Sequence, residues 1–190
     1  MKPHLRVLGI DDSPFSFKEK EVVVVGAAVR LPNYLEGVLK TTAKIDGKDA
    51  TDRLREMIKR SRYMENLAAI LIDGIAIGGF NVIDIEALHA DLGIPVLTVT
   101  RNKPDLESME TVLKAKFPDW KKRLSLITRR ELHRVKTEHK PLYVQSVGME
   151  LPDVEKIIAK STVLGALPEP VRMAHLIATA IRTGESHGRA

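Results

Sequence analysis

The sequence predicts an α/β domain: one mixed sheet, antiparallel on one side and parallel on the other, with helices against it. Three observations lead there. Residues 22–29 form an almost unbroken run of β-branched and small apolar side chains, the pattern of a strand covered on both faces. After residue 50, apolar runs alternate with segments of helical period, which implies parallel strands joined by right-handed crossovers. The chain has 190 residues, 44% of them hydrophobic, which is the size and composition of one domain. Such a chain can bury about 70% of its unfolded surface.

The elements follow in order. Residues 5–10 read as a short buried strand, broken by Asp12-Ser13-Pro14. A polar turn at residues 18–21 leads into the strand 22–29. Leu31-Pro32-Asn33-Tyr34 is a turn, and residues 35–45 a third strand, so the first three strands form an antiparallel meander. Thr51 is placed to cap a helix with apolar positions Leu54, Met57 and Ile58. Residues 67–72 are a strand and 74–79 a loop. Asn81 starts a helix through Leu92, closed by Gly93. Residues 95–100 form a buried strand and 105–116 a helix. Residues 124–128 and 142–147 read as short strands, and 152–160 and 170–182 as closing helices. Residues 1–183 are expected to be one domain and 184–190 a flexible tail.

Composition excludes several chemistries. There are no cysteines, hence no disulfide, thiolate zinc site or cysteine nucleophile. No apolar run approaches the roughly 20 residues of a membrane span. The N-terminus lacks the apolar stretch of a signal peptide, so a cytoplasmic protein without a membrane partner is expected. The six histidines show no metal-ligand spacing. The net charge of +5 is uneven: residues 101–140 hold twelve Lys/Arg against six Asp/Glu, a balance of +6. That segment is either a solvated face or a patch for phosphate backbones. Its aromatics are only Phe117 and Trp120, so it does not advertise base stacking.

The informative feature is a set of aspartates where strands end. Asp11 and Asp73 directly follow apolar runs; Asp12, Asp46 and Asp49 lie nearby or in turns. A buried strand has little use for a carboxylate at its end. An active site fed by adjacent strands has use for several, because Mg²⁺ or Mn²⁺ takes oxygen ligands and its charge balances substrate phosphates. Turn and capping duty is the competing role for Asp12, Asp46 and Asp49, and helix-dipole duty for Asp84. The loop Gly74-Ile75-Ala76-Ile77-Gly78-Gly79 joins a strand to a helix, where backbone N–H groups can hold an anion. It lacks the Lys and Ser/Thr of a P-loop, so a tight turn with positive φ is an equal use of its glycines. Arg101, just past the fifth strand, is placed to meet a phosphate. The candidate substrate contacts are Gly74, Gly78, Gly79, Asn81 and Arg172.

Five segments in order give the chain a resemblance. Gly9-Ile10-Asp11, Asp73-Gly74, the strand at residues 94–101 with its terminal Arg101, Lys140-Pro141-Leu142-Tyr143-Val144, and Leu167-Pro168-Glu169-Pro170-Val171-Arg172-Met173-Ala174 are similar to endonuclease V. The chain most resembles an uncharacterised archaeal family related to that nuclease. The resemblance implies a ribonuclease H-like fold over most of the chain. It implies that Asp11 and Asp73 are metal ligands and that Arg101 stands where the family has a lysine. The family's third acid is a glutamate after the third strand; here Asp46 or Asp49 is the substitute, and the residues leave the choice open. The family's histidines after Asp-Gly and in a late Val-Gly-His have no counterpart at residues 75–79 or at Met149. Leu31-Pro32-Asn33-Tyr34 is loosely similar to the family's strand-separating wedge.

The function so implied is a metal-dependent phosphodiesterase acting on DNA or RNA, with Asp11, Asp73 and Asp46 or Asp49 around Mg²⁺ or Mn²⁺ and Arg101 on the phosphoryl charge. The alternative is a nucleic-acid-binding module of the same fold without catalysis. A small-molecule enzyme using the glycine loop is a third reading, which a closed pocket over residues 74–79 would favour.

Overall fold

The computed structural model describes residues 5–186, and it builds the domain on a seven-stranded sheet. The strands are β1 (Arg6–Asp12), β2 (Glu21–Arg30), β3 (Tyr34–Lys44), β4 (Leu67–Asp73), β7 (Val96–Thr100), β8 (His133–Val135) and β9 (Leu142–Val147). A two-stranded ribbon, β5 (Ala76–Ile77) with β6 (Asn81–Val82), stands apart. The sheet order is β3-β2-β1-β4-β7-β9-β8. β1, β2 and β3 pair antiparallel, as the meander requires, while β1, β4 and β7 run parallel. β9 and β8 close the far side antiparallel.

Strand alternation sends each residue type to a definite face. Leu8, Ile10, Val22, Val24, Ile70, Ile72 and Val96 face one layer of helices, α1 (Ala50–Lys59) and α2 (Ile85–Leu92). Val7, Leu71, Leu97 and Val99 face the other, α5 (Leu151–Ser161) and α6 (Glu169–Thr183). Val25, Ala27 and Val29 meet Ala174 and Ala178 of α6 on that same side. β2 is therefore apolar throughout because both its faces are covered. A helical hairpin, α3 (Leu106–Lys116) and α4 (Trp120–Thr128), packs through Leu113 and Ile127 onto Val82.

Gly9 fixes how closely α6 approaches. A Cβ there would lie 2.0 Å from the backbone carbon of Pro170, so only a residue without a side chain lets the helix sit on β1.

Four local expectations change. Residues 124–128 are the end of helix α4, not a strand: Trp120, Leu124 and Ile127 recur at helical spacing and pack along one stripe. Asn81 does not start a helix; it lies in β6, and α2 begins at Ile85 with Asp84 as its cap, accepting from the Ala87 N–H at 3.0 Å. Thr51 lies inside α1 rather than capping it, and its hydroxyl accepts from the Asp84 N–H. The short strand β8 was not foreseen. Gly93 closes α2 at φ 68°, as its position predicts. Of the expected tail, residues 187–190 lie outside the described residues. Among the described residues no helix is long and apolar enough to cross a membrane.

Candidate active site

The parallel register aligns the two leading aspartates. Ile10 pairs with Ile72, so Asp11 and Asp73 are the next residues along neighbouring strands. Both alternate with residues of the α6 face: Asp11 follows Val7 and Gly9, and Asp73 follows Leu71. Asp73 in turn pairs with Val99, and one further alternation, just past β7, reaches Arg101. Two acids and a cation thus line one edge of the sheet on one face.

Helix α6 supplies a fourth member. His175 Nδ1 lies 2.8 Å from Asp11 Oδ2, and Asp11 is only 6% exposed. The hydrogen bond to Asp11 is the main reason that the His175 pKa rises above 6.5. Sequence spacing gave no hint of this histidine, since its partner is 164 residues away. The available signals were Gly9 in a strand and a helix with prolines at its start; together they bring α6 onto β1.

Burial, followed by the charge of Asp11, pushes the Asp73 carboxyl from 3.8 to about 7; Arg101 and His175 oppose the rise. Asp12 behaves differently. It alternates to the opposite face, where its Oδ2 accepts the Gly78 N–H at 2.5 Å. Burial first, and Asp11 less strongly, raise it to about 6 against that hydrogen bond. Asp12 therefore braces the loop behind the edge.

The two rivals for the third acid are both held in loop architecture. Asp46, at φ 53°, accepts the Phe80 N–H at 2.8 Å, while its own N–H donates to Gly78 O. Asp49 accepts from Asn81 Nδ2 at 2.7 Å and from the Lys44 N–H at 3.1 Å, and pairs with Arg53. Burial opposes its ionisation, but these donors hold its pKa below 3.8. Asn81 is 0% exposed, and its side chain is engaged with Lys44 O, Asp49 and the Ala50 N–H. The expected anion cradle is also occupied from within: Gly74 donates to Val99 O and Gly78 to Asp12. Arg172 forms a forked pair with buried Glu169, with contacts from 2.7 to 3.1 Å. Gly79, at φ 86°, packs against Asp46 and Phe17.

A residue from the basic segment completes that bracing. Arg123 is 4% exposed and donates to Gly47 O at 2.9 Å, Asp46 O at 3.1 Å and Phe80 O. Its guanidinium stacks 4.2 Å from the Phe117 ring centroid. One of the twelve cations is thus structural. The turn at residues 31–34 stands at the opposite end of the sheet, because Arg30 pairs with Arg6. At about 3.3 Å per residue it is some 17 Å along β1 from Asp11.

The donor set suits a hard divalent cation. Asp11 and Asp73 are adjacent carboxylates, poorly hydrated and crowded enough that one resists ionising, which is the electrostatic situation a cation relieves. Among the described residues no three His, Asp or Glu side chains stand close enough to enclose an ion by themselves. Mg²⁺ does not require that, since it commonly keeps waters and takes one or two carboxylates plus substrate phosphates.

The sequence matches the family model described as "Endonuclease dU" over residues 3–182. An archaeal protein from Methanothermobacter thermautotrophicus, named only "UPF0215 protein", is 44% identical over 100% of this chain and 94% of its own length. A crystal structure of a protein of unknown function from Archaeoglobus fulgidus is 38% identical, with a TM-score of 0.84 over 93% of this chain and 98% of that one. Endonuclease V from Ciona intestinalis, solved with a DNA containing an inosine followed by a ribo-adenosine, superposes with a TM-score of 0.58 at 16% identity, over 90% and 83% of the two chains. The fold is the ribonuclease H-like fold of endonuclease V, as the sequence resemblance implies.

Proposed function

The chain belongs to the endonuclease dU family, and on that footing we propose that it is a metal-dependent endonuclease hydrolysing phosphodiester bonds of DNA or RNA. The observation that carries this is the single-face row of Asp11, Asp73 and Arg101 at the end of three parallel strands, with His175 on Asp11. Asp11 and Asp73 would hold Mg²⁺ or Mn²⁺, which when bound supplies Lewis-acid activation of water and neutralisation of phosphate charge. Asp46 and Asp49, engaged in loop contacts, stay outside that set.

The chain's own residues divide the remaining work. His175 fixes the Asp11 carboxylate through Nδ1 at Oδ2, while Oδ1 accepts the Asp12 N–H at 2.8 Å. Burial and the charge of Asp11 raise the Asp73 pKa to about 7, so a cation held there would compete with a proton. Arg101 lies close enough to both Asp73 and His175 to influence their ionisation, and from there it can stabilise the charge that develops on the transferred phosphoryl group. Asp12, Asp46 and Arg123 hold the 46–49 and 74–80 loops behind the row.

The test is Mn²⁺-dependent nicking of a mixed panel of single- and double-stranded DNA and RNA, expected to disappear in Asp11→Ala and Asp73→Ala. Cleavage that persists in both variants sinks the assignment. The second reading, a binding module without catalysis, is favoured by the absence of histidines at residues 75–79 and at Met149. It predicts salt-dependent nucleic-acid binding without calorimetric Mn²⁺ binding at Asp11 and Asp73.

A further inference from the structure

Phe17 lies in the loop between β1 and β2 and is 66% exposed. It is nevertheless fixed in place. Its ring meets Phe15 edge to face at 5.3 Å, and Lys116 Nζ of α3 stands 5.2 Å from its centroid. A Cβ at Gly79 would lie 3.2 Å from its Cε1. Gly79 follows Gly78, whose N–H holds Asp12, the neighbour of Asp11. The ring therefore stands at the same end of the sheet as Asp11, against the loop that Asp12 braces, with much of its surface open to water.

The pairing of ring and cation continues along the helical hairpin. Lys114 and Lys121 stand 5.0 and 5.6 Å from the Trp120 ring centroid. Residues 101–140 carry a charge balance of +6. A nucleic-acid strand that is not fully paired presents what this surface complements: π-faces for stacking and phosphates for the lysines.

We propose that Phe17 is a stacking platform for an unpaired base of a nucleic-acid strand, with Lys116 and the Lys114–Trp120–Lys121 cluster receiving the strand beyond it. The proposal rests on the nuclease reading above and adds the path of the substrate. The basic segment itself is poor in aromatics, and its first stacking ring comes from residue 17, nearly 100 positions upstream.

The experiment measures fluorescence anisotropy of labelled 20-nucleotide single strands, one DNA and one RNA, with EDTA present so that no cleavage intervenes. Phe17→Ala is expected to weaken the better-bound strand by about 5- to 150-fold, the usual loss for one stacked base. Phe17→Tyr should bind like the wild type. Lys116→Ala should weaken binding and reduce the salt slope by about one. Because Phe17 is exposed, Phe17→Ala should keep the wild-type circular dichroism spectrum. Phe17→Trp, in a Trp120→Phe background, gives an independent readout: its emission should be quenched as either strand saturates. Phe17→Ala binding as tightly as the wild type, or an indole at 17 blind to bound strand, overturns the platform while leaving the nuclease reading standing. Wild-type protein that binds neither strand overturns the platform, while the nuclease reading, which also covers double strands, stands or falls on the Mn²⁺-dependent nicking assay.

Discussion

Removing the charge of Asp73 should make the metal-free protein more stable at alkaline pH. The folded-state pKa of Asp73 is about 7, against 3.8 for the free side chain. Between those values the folded protein keeps a proton that the unfolded chain has lost. Stability therefore falls as pH rises through this window, and above about pH 7 the whole penalty of a buried, crowded carboxylate is present. The gap corresponds to at most about 4 kcal/mol. Asp11, His175 and Arg101 readjust when the charge goes, so roughly half of that, about 2 kcal/mol, is the expected gain for Asp73→Asn. For a domain of this size that is a melting-temperature rise of about 4–8 °C. The assay is thermal unfolding by circular dichroism in EDTA at pH 4.5 and pH 8. Asp73→Asn should exceed the wild type by only about a quarter of the full gap at pH 4.5, and by the full gap at pH 8. Saturating Mn²⁺ at pH 8 should then stabilise the wild type, by about 2.7 kcal/mol at 100 times its Kd, and leave the variant unmoved. Equal melting points at pH 8, or a gap that ignores pH, would refute the assignment of Asp73 as a strained carboxylate.

Three further outcomes follow from the packing around it. Gly9→Ala forces Pro170 away from β1; it should cost about 1–3 kcal/mol in chemical denaturation and lower the NMR-measured His175 pKa toward 6.5 as Asp11 is lost. His175→Gln should destabilise the protein most below pH 6.5, where the raised His175 pKa makes the Asp11 pair fully effective, and the gap should shrink as pH climbs through the folded pKa. Arg123→Met should cost about 3–5 kcal/mol by leaving the carbonyls of Asp46, Gly47 and Phe80 without their donor, and Arg123→Lys should not rescue it, because one ammonium cannot reproduce the fork.

The elements whose signal is local were legible in the sequence. β2 announced itself by continuous apolar residues, α2 by its αL glycine, and the α/β alternation by its change of period. The end of α4 reads as a strand because the stretch Leu124-Ser-Leu-Ile-Thr shows its helical period only when Trp120 is counted with it. The site was half legible. Asp11 and Asp73 stand out because a carboxylate after an apolar strand needs a reason. His175 did not stand out, because what joins it to Asp11 is the close seating of α6 on Gly9, a contact between distant segments. Asp46, Asp49 and Asn81 are engaged in loop contacts that the sequence does not show, because composition does not reveal which polar atoms are already bonded to backbone or to each other.

Alternation also explains why consecutive acids have different duties. Asp11 and Asp12 are neighbours in the chain, but a strand sends them to opposite faces. Asp11 joins Asp73, Arg101 and His175 on the α6 side, while Asp12 reaches back to the Gly78 N–H. The loop held by Asp12 is the same loop that Asp46 holds through Phe80 and that Arg123 ties to α4. Gly79 of that loop in turn supports Phe17. The charged row and the surface proposed to receive the strand are therefore coupled through one residue pair of β1. A substitution at Asp12 acts on both at once, through the loop and through the field at Asp11, whereas one at Asp46 acts through the loop alone.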